Sequence, residues 1–293
     1  MRPLLISLRP AQWTKNLIVF AGLIFGQRLL DPVAVGRAVL AFAIFCALSS
    51  AAYLVNDIID READRRHPLK AGRPIASGAL PANTAGVAAA ILLFVGMAMA
   101  LWLGGMFTLV AAAYLALQGL YSGPLKHIVI IDVLAIAGGF VLRAAAGAVA
   151  IDVPMSQWLL VVTVLLALFL ALSKRRHELV LLADEAMTHR QILGEYSPYL
   201  LDQMIAVVTA STLVAYAFYT ISPETQEKFH TNLLGLTLPF PLYGIFRYLY
   251  LVHRKELGGS PSELLLTDRP LLICVALWGL VVMAIIYAPQ VWR

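Results

Sequence analysis

Three aspartates in Asn56-Asp57-Ile58-Ile59-Asp60-Arg61-Glu62-Ala63-Asp64 are spaced i, i+3, i+7. At about 100° per residue they fall within about 60° of one another on one helical face, with Asn56 beside that face and Glu62 turned away. Carboxylates so close repel one another by a few tenths of a kcal/mol per exposed pair. At the C-terminal end of a helix they also oppose the macrodipole. A cation offsets both penalties. Hard oxygen ligands suit Mg²⁺, which keeps waters and joins one or two carboxylates to phosphate groups. The competing reading is an ordinary charged loop neutralised by Arg61, Arg65 and Arg66. The spacing, at the mouth of an apolar run, favours the metal, with Asp57, Asp60 and Asp64 as its ligands.

The elements that must carry this cluster follow from composition. Of 293 residues, 60% are hydrophobic and 13% charged, about half the charged share of a soluble domain. A soluble fold, a disordered chain and a coiled coil are excluded. Long apolar runs punctuated by Pro and Gly imply spanning helices, because a lipid-exposed backbone must satisfy its own hydrogen bonds. The alternating segments of a barrel are missing. The chain reads as an all-α polytopic membrane bundle, one domain over 1–293, with nine transmembrane helices near 14–30, 34–56, 82–103, 105–121, 128–150, 156–174, 199–220, 231–251 and 270–288. The first apolar run reads as a span rather than a cleaved leader. Cys46 and Cys274 lie inside apolar runs, and His67, His127 and His177 lack metal-ligand spacing.

Basic residues orient the bundle. With the N-terminus inside, sixteen Lys and Arg fall in inner segments, Arg190 among them, against four outside, including Arg293. A multi-pass protein of the cell (inner) membrane is expected, N-terminus cytoplasmic and C-terminus outside, with the acidic cluster opening to the cytoplasm. The net charge of +5 then follows from this bias and requires no nucleic acid. Small residues (Gly22, Gly26, Gly119, Gly123, Gly138, Gly139, Ala144 to Ala148) let helices approach closely, which leaves a homo-oligomer open.

Asn56-Asp57…Asp60…Asp64 is similar to the NDxxDxxxD signature of the UbiA superfamily of intramembrane prenyltransferases. Members that act on aromatic acceptors carry a second motif, DxxxD. Here that stretch offers Asp132, but Ile136 stands four residues on. Lys126 and, deeper in the bundle, Arg143 take the place of the missing clamp. Arg9-Pro-Ala-Gln12-Trp13-Thr-Lys15-Asn16, the aspartates with downstream Arg73-Pro74-Ile75, Tyr121…Leu125-Lys126…Asp132, and Lys174-Arg175…Glu178-Leu179 occur in that order. Together they resemble the decaprenyl-phosphate phosphoribosyltransferase branch of the superfamily.

The resemblance implies transfer of a phosphoribosyl group from phosphoribosyl pyrophosphate (PRPP) to a polyprenyl phosphate in the lipid bilayer, with release of diphosphate. Asp57, Asp60 and Lys126 would be the catalytic residues and Mg²⁺ the cofactor. Substrates would meet Lys15, Asn56, Arg61, Arg73, Tyr121, Lys126, Asp132, Arg143, Lys174, Arg175 and Glu178. Lys126 as a point charge with three donors suits an acceptor phosphate. An ionisable Arg143 within a span is costly enough to expect a partner or a cavity. Two alternatives remain open at this stage: prenyl transfer from a diphosphate to an aromatic acceptor, and a membrane transporter.

Overall fold

The computed structural model describes residues 2–66, 70–182, 191–255, 259 and 261–291. His67, Arg190 and Arg293 lie outside the described residues. Every regular element among the described residues is helical. The eight longest α-helices are α1 (Pro32–Ile59), α2 (Ala82–Leu103), α3 (Gly105–Ser122), α4 (Ile131–Ala150), α5 (Gln157–Leu182), α6 (Pro198–Ile221), α7 (Pro239–Arg254) and α8 (Arg269–Val291). Their starts follow from the sequence. Asp31 accepts hydrogen bonds from the Val33 and Ala34 amides to cap α1, and Ser197 accepts from Leu200 N to cap α6. Pro32, Pro198 and Pro239 sit where a missing N–H costs nothing.

Seven of these helices, all but α7, are long and apolar enough to cross a bilayer. The expected count was nine. The two remaining segments are interrupted. Residues 14–30 fall on a 3-10 helix, Pro10–Phe20, and a short α-helix, Ala21–Phe25, which ends at Gly26 and the left-handed Gln27. Residues 231–251 fall on a 3-10 turn, Leu233–Thr237, followed by α7, where Pro239 and Pro241 supply no N–H.

The chain divides into two compact units, Met1–Lys126 with Gly138–Pro154, and His127–Ala137 with Met155–Arg293. In the first, α1 packs against α2 and against Pro10–Phe20, and α2 against α3. Phe45 of α1 meets Phe107 edge-on at 6.0 Å and Tyr114 at 5.1 Å. Close approach is built on glycine: a Cβ on Gly96 would lie 2.8 Å from Leu48, and one on Gly147 would strike the Val19 carbonyl. Gly22 likewise approaches the Ala148 backbone, whereas Gly119 has open space around it. In the second unit α5 packs on α6, and α7 on α8. Phe169, Leu172, Leu201, Ile205, Ile245 and Tyr248 form its apolar centre. Cys46 and Cys274 are both buried free thiols.

Candidate active site

Helix α1 ends at Ile59, and the chain turns through Asp60 (φ −84°, ψ 5°) into the short helix Arg61–Arg66. The turn is close to helical, since Asp64 N still donates to Asp60 O at 2.8 Å. Asp57 and Asp64 share one partner, whereas Asp60 has others. Asp57 and Asp64 are buried, at 2% and 3% exposure. Arg73 Nη1 donates to both, to Asp57 Oδ1 at 3.1 Å and Asp64 Oδ2 at 2.6 Å. Arg9 Nη2 donates to the same Asp57 oxygen at 2.6 Å. Asp60 instead takes a hydrogen bond from Asn56 Nδ2 at 3.1 Å and pairs with Lys126 Nζ at 3.5 Å. Asp57 in the last turn of α1, Asp60 at its C-cap and Asp64 in the following short helix are thus faced by three cations.

Local chain geometry delivers those cations. Arg9 adopts a left-handed conformation (φ 54°) between helix Arg2–Leu8 and Pro10–Phe20. Its guanidinium lies over the Tyr53 ring at 4.9 Å. Trp13 donates from Nε1 to Ser50 Oγ at 3.0 Å, and Ser50 Oγ donates to Leu8 O at 2.9 Å. That stitching holds Arg9 against α1. Arg73 sits at the start of the Arg73-Pro74-Ile75 turn, whose Ile75 is 1% exposed. Arg65 Nε ties the turn back by donating to Ala76 O at 2.8 Å. Lys126 lies in the 3-10 turn Leu125–His127.

Other expected site residues of this unit are placed as follows. Arg143 is buried on α4 and held by neutral oxygens. It donates from Nε to Asn16 Oδ1 at 2.7 Å, from Nη1 to Gly139 O at 2.9 Å, and from Nη2 to Tyr114 Oη at 2.8 Å. Asn16 also donates to Ser49 Oγ and Cys46 Sγ, both at 3.3 Å. Lys15 is half-buried and makes no hydrogen bond or ion pair among the described residues. Tyr121 is half-buried at the end of α3. Arg61 Nε is buried with no hydrogen-bond partner among the described residues.

The second unit holds Asp132, Lys174, Arg175 and Glu178. Arg175 and Asp132 are both fully enclosed, with side chains 1% and 0% exposed, and Arg175 Nε donates to Asp132 Oδ2 at 2.9 Å. Arg175 Nη1 also pairs with Glu178 Oε2, while Lys174 Nζ lies 3.7 Å from Glu178 Oε1. Tyr196, which the motif reading did not single out, donates from Oη to the other Asp132 oxygen at 2.8 Å. Burial first, and then the Asp132 carboxylate, push the Tyr196 phenol up to about 12, so it stays protonated as a donor. Arg175 and Asp132 are therefore engaged with protein groups rather than presented to solvent.

The acidic cluster fits a magnesium ion by donor type: its carboxylates and the Asn56 amide are hard oxygen ligands. One guanidinium nitrogen of Arg73 already stands between Asp57 and Asp64 as a shared cation would. Among the described residues no three His, Cys, Asp or Glu side chains are grouped so as to hold a metal ion, so Asp57, Asp60 and Asp64 do not form a three-carboxylate site by themselves. The remaining ligands would be water and substrate oxygens, the usual arrangement for Mg²⁺. Arg9, which pairs with Asp57, was not in the expected set. Its signal was available, since it opens the Arg9-Pro-Ala-Gln12-Trp13 motif.

Comparison with known proteins shows the family and the fold. The UbiA prenyltransferase family matches residues 16–259. The chain is 36% identical to decaprenyl-phosphate phosphoribosyltransferase of Corynebacterium glutamicum, over 97% of this chain and 87% of that protein. It is 34% identical to the protein of that name from Mycolicibacterium smegmatis, over 97% and 92%. Among solved structures, a UbiA homolog from Archaeoglobus fulgidus bound to GPP and Mg²⁺ superposes with a TM-score of 0.75 at 21% identity, covering 97% of this chain and 99% of that one. From its helices, its acidic motif and this match over most of its length, the chain belongs to the UbiA prenyltransferase family.

Proposed function

We propose that this protein transfers the 5-phosphoribosyl group of PRPP to the phosphate of a polyprenyl, decaprenyl-type, monophosphate and releases diphosphate. One observation carries the reading. Arg73 bridges Asp57 and Asp64 while Arg9 and Lys126 hold Asp57 and Asp60, so groups for a metal and for phosphate oxygens lie within one cluster. The names of the relatives from C. glutamicum and M. smegmatis supply the sugar and the lipid.

Asp57, Asp60 and Asp64, with Asn56, would hold Mg²⁺, which when bound neutralises charge on the departing diphosphate. Arg9 and Arg73 exchange carboxylate oxygens for donor phosphate oxygens, keeping charge-assisted hydrogen bonds throughout. Lys126 steers the acceptor phosphate. That phosphate is ionised at neutral pH, so no general base is needed. Rate enhancement then comes from positioning and from fixed charges.

The proposal includes nine crossings, with the N-terminus cytoplasmic, the C-terminus outside and the site open to the cytoplasm. The interrupted segments have the reach. Eleven residues of 3-10 helix at about 2.0 Å each plus five α-helical residues at about 1.5 Å each give about 30 Å, the thickness of the hydrocarbon core.

The test is incubation of the purified protein in detergent with radiolabelled PRPP, Mg²⁺ and polyprenyl phosphates of several lengths. Label is expected in a lipid-extractable, acid-labile product, and both Asp57→Asn and excess EDTA should eliminate it. Full activity in EDTA would remove the metal from the proposal. Prenylation of a hydroxybenzoate from a prenyl diphosphate, with no label entering lipid from PRPP, would replace the reaction itself.

A further inference from the structure

Ile130 has φ 69°. A β-branched residue in the left-handed region is a genuine outlier, because its branched side chain crowds the backbone there. Such a conformation persists only where its surroundings impose it. The residue lies immediately before α4 and three positions after the Leu125–His127 turn that carries Lys126. Its direction determines how the chain leaves that turn.

The surroundings that impose it are visible. Ile130 N donates to Tyr196 Oη at 2.7 Å, and Tyr196 Oη donates onward to Asp132 Oδ1 at 2.8 Å. Asp132 is held at its other oxygen by Arg175. Tyr196 is 4% exposed and packed in the apolar centre with Val133 and Leu172. One phenol therefore accepts from a strained backbone amide and donates to a buried carboxylate, and a buried guanidinium anchors that carboxylate.

We infer that Tyr196 is a positioning residue: through Asp132 and Arg175 it holds Ile130 left-handed and so sets the turn that presents Lys126. Asp132, held by Arg175 and Tyr196, acts here as an anchor for the loop. This inference rests on the proposed function only in giving Lys126 the acceptor phosphate. The loop geometry stands independently of it.

The test compares wild type, Tyr196→Phe and Tyr196→Phe/Ile130→Gly as full chains in detergent. Phe keeps the ring in its apolar site and removes only the hydroxyl. Glycine adopts a positive φ without steric cost, so it makes the latch unnecessary. Two readouts are taken: the rate of tryptic cleavage after Lys126, and KM for polyprenyl phosphate against KM for PRPP. For Tyr196→Phe, cleavage should rise about three- to tenfold, the factor that a lost buried hydrogen bond represents. KM for the lipid phosphate should rise with it while KM for PRPP stays constant. The double variant should return both towards wild type. Unchanged cleavage in Tyr196→Phe would overturn the inference. So would a defect that Ile130→Gly does not relieve, because Tyr196 would then support Asp132 without setting the loop. If wild type transfers no phosphoribosyl group, the proposed function fails, while the cleavage series still decides the latch.

Discussion

Replacing Arg73 by methionine keeps an apolar stem and deletes the guanidinium that bridges Asp57 and Asp64. Asp57 retains Arg9 at 2.6 Å, but Asp64, 3% exposed, loses its charge-assisted hydrogen bond at 2.6 Å. Hydrogen bonds to charged groups are worth about 1.5–3 kcal/mol each. The Arg73 side chain is 27% exposed, so solvent screens part of the pair, and a total loss of about 2–4 kcal/mol is expected. At about 2–4 °C per kcal/mol for a chain of this size, Tm should fall by about 4–16 °C. The same change frees two carboxylates for a divalent ion. Mg²⁺ at about ten times its dissociation constant should then restore about 1.4 kcal/mol. Its effect on wild type should be smaller, because there it must displace the guanidinium. The assay is thermal unfolding in detergent by tryptophan fluorescence, with and without Mg²⁺. An Arg73→Met protein as stable as wild type would refute the bridging role. Equal Mg²⁺ increments in both proteins would refute the idea that arginine and metal share one position.

Two further outcomes follow from the geometry. Lys126→Met should raise KM for polyprenyl phosphate about tenfold, the loss of roughly one charge-assisted contact, with Mg²⁺-PRPP binding nearly unchanged by calorimetry; equal losses on both sides would move Lys126 to the donor. Gly147→Ala places a methyl against the Val19 carbonyl, where no flexible side chain can yield. It should cost about 3 kcal/mol or more and reduce the monodisperse yield in detergent, whereas Gly119→Ala, with open space around it, should behave as wild type.

Local chemistry made much of this protein legible in its sequence. Charge depletion and apolar runs required membrane helices, because only helices close their own hydrogen bonds in lipid. The i, i+3, i+7 aspartates needed only helical periodicity to be grouped. Two expected spans are wound partly as 3-10 helix, a form that hydropathy does not register because it measures only length and apolarity. The basic motifs were visible as charge, but their partners were not.

Tertiary structure decided which charge meets which. Arg9 reaches Asp57 across 48 positions, and Arg143 reaches Asn16 across 127. Asp132, expected to meet substrate, is instead enclosed by Arg175 and Tyr196. The physical reason is range. Helical periodicity relates residues within a few turns of each other, while a buried charge is satisfied by whatever the fold brings beside it. In this protein the aspartates could be found from spacing alone, but the cations that answer them, and the tyrosine that holds the loop before α4, became visible only once the helices had packed.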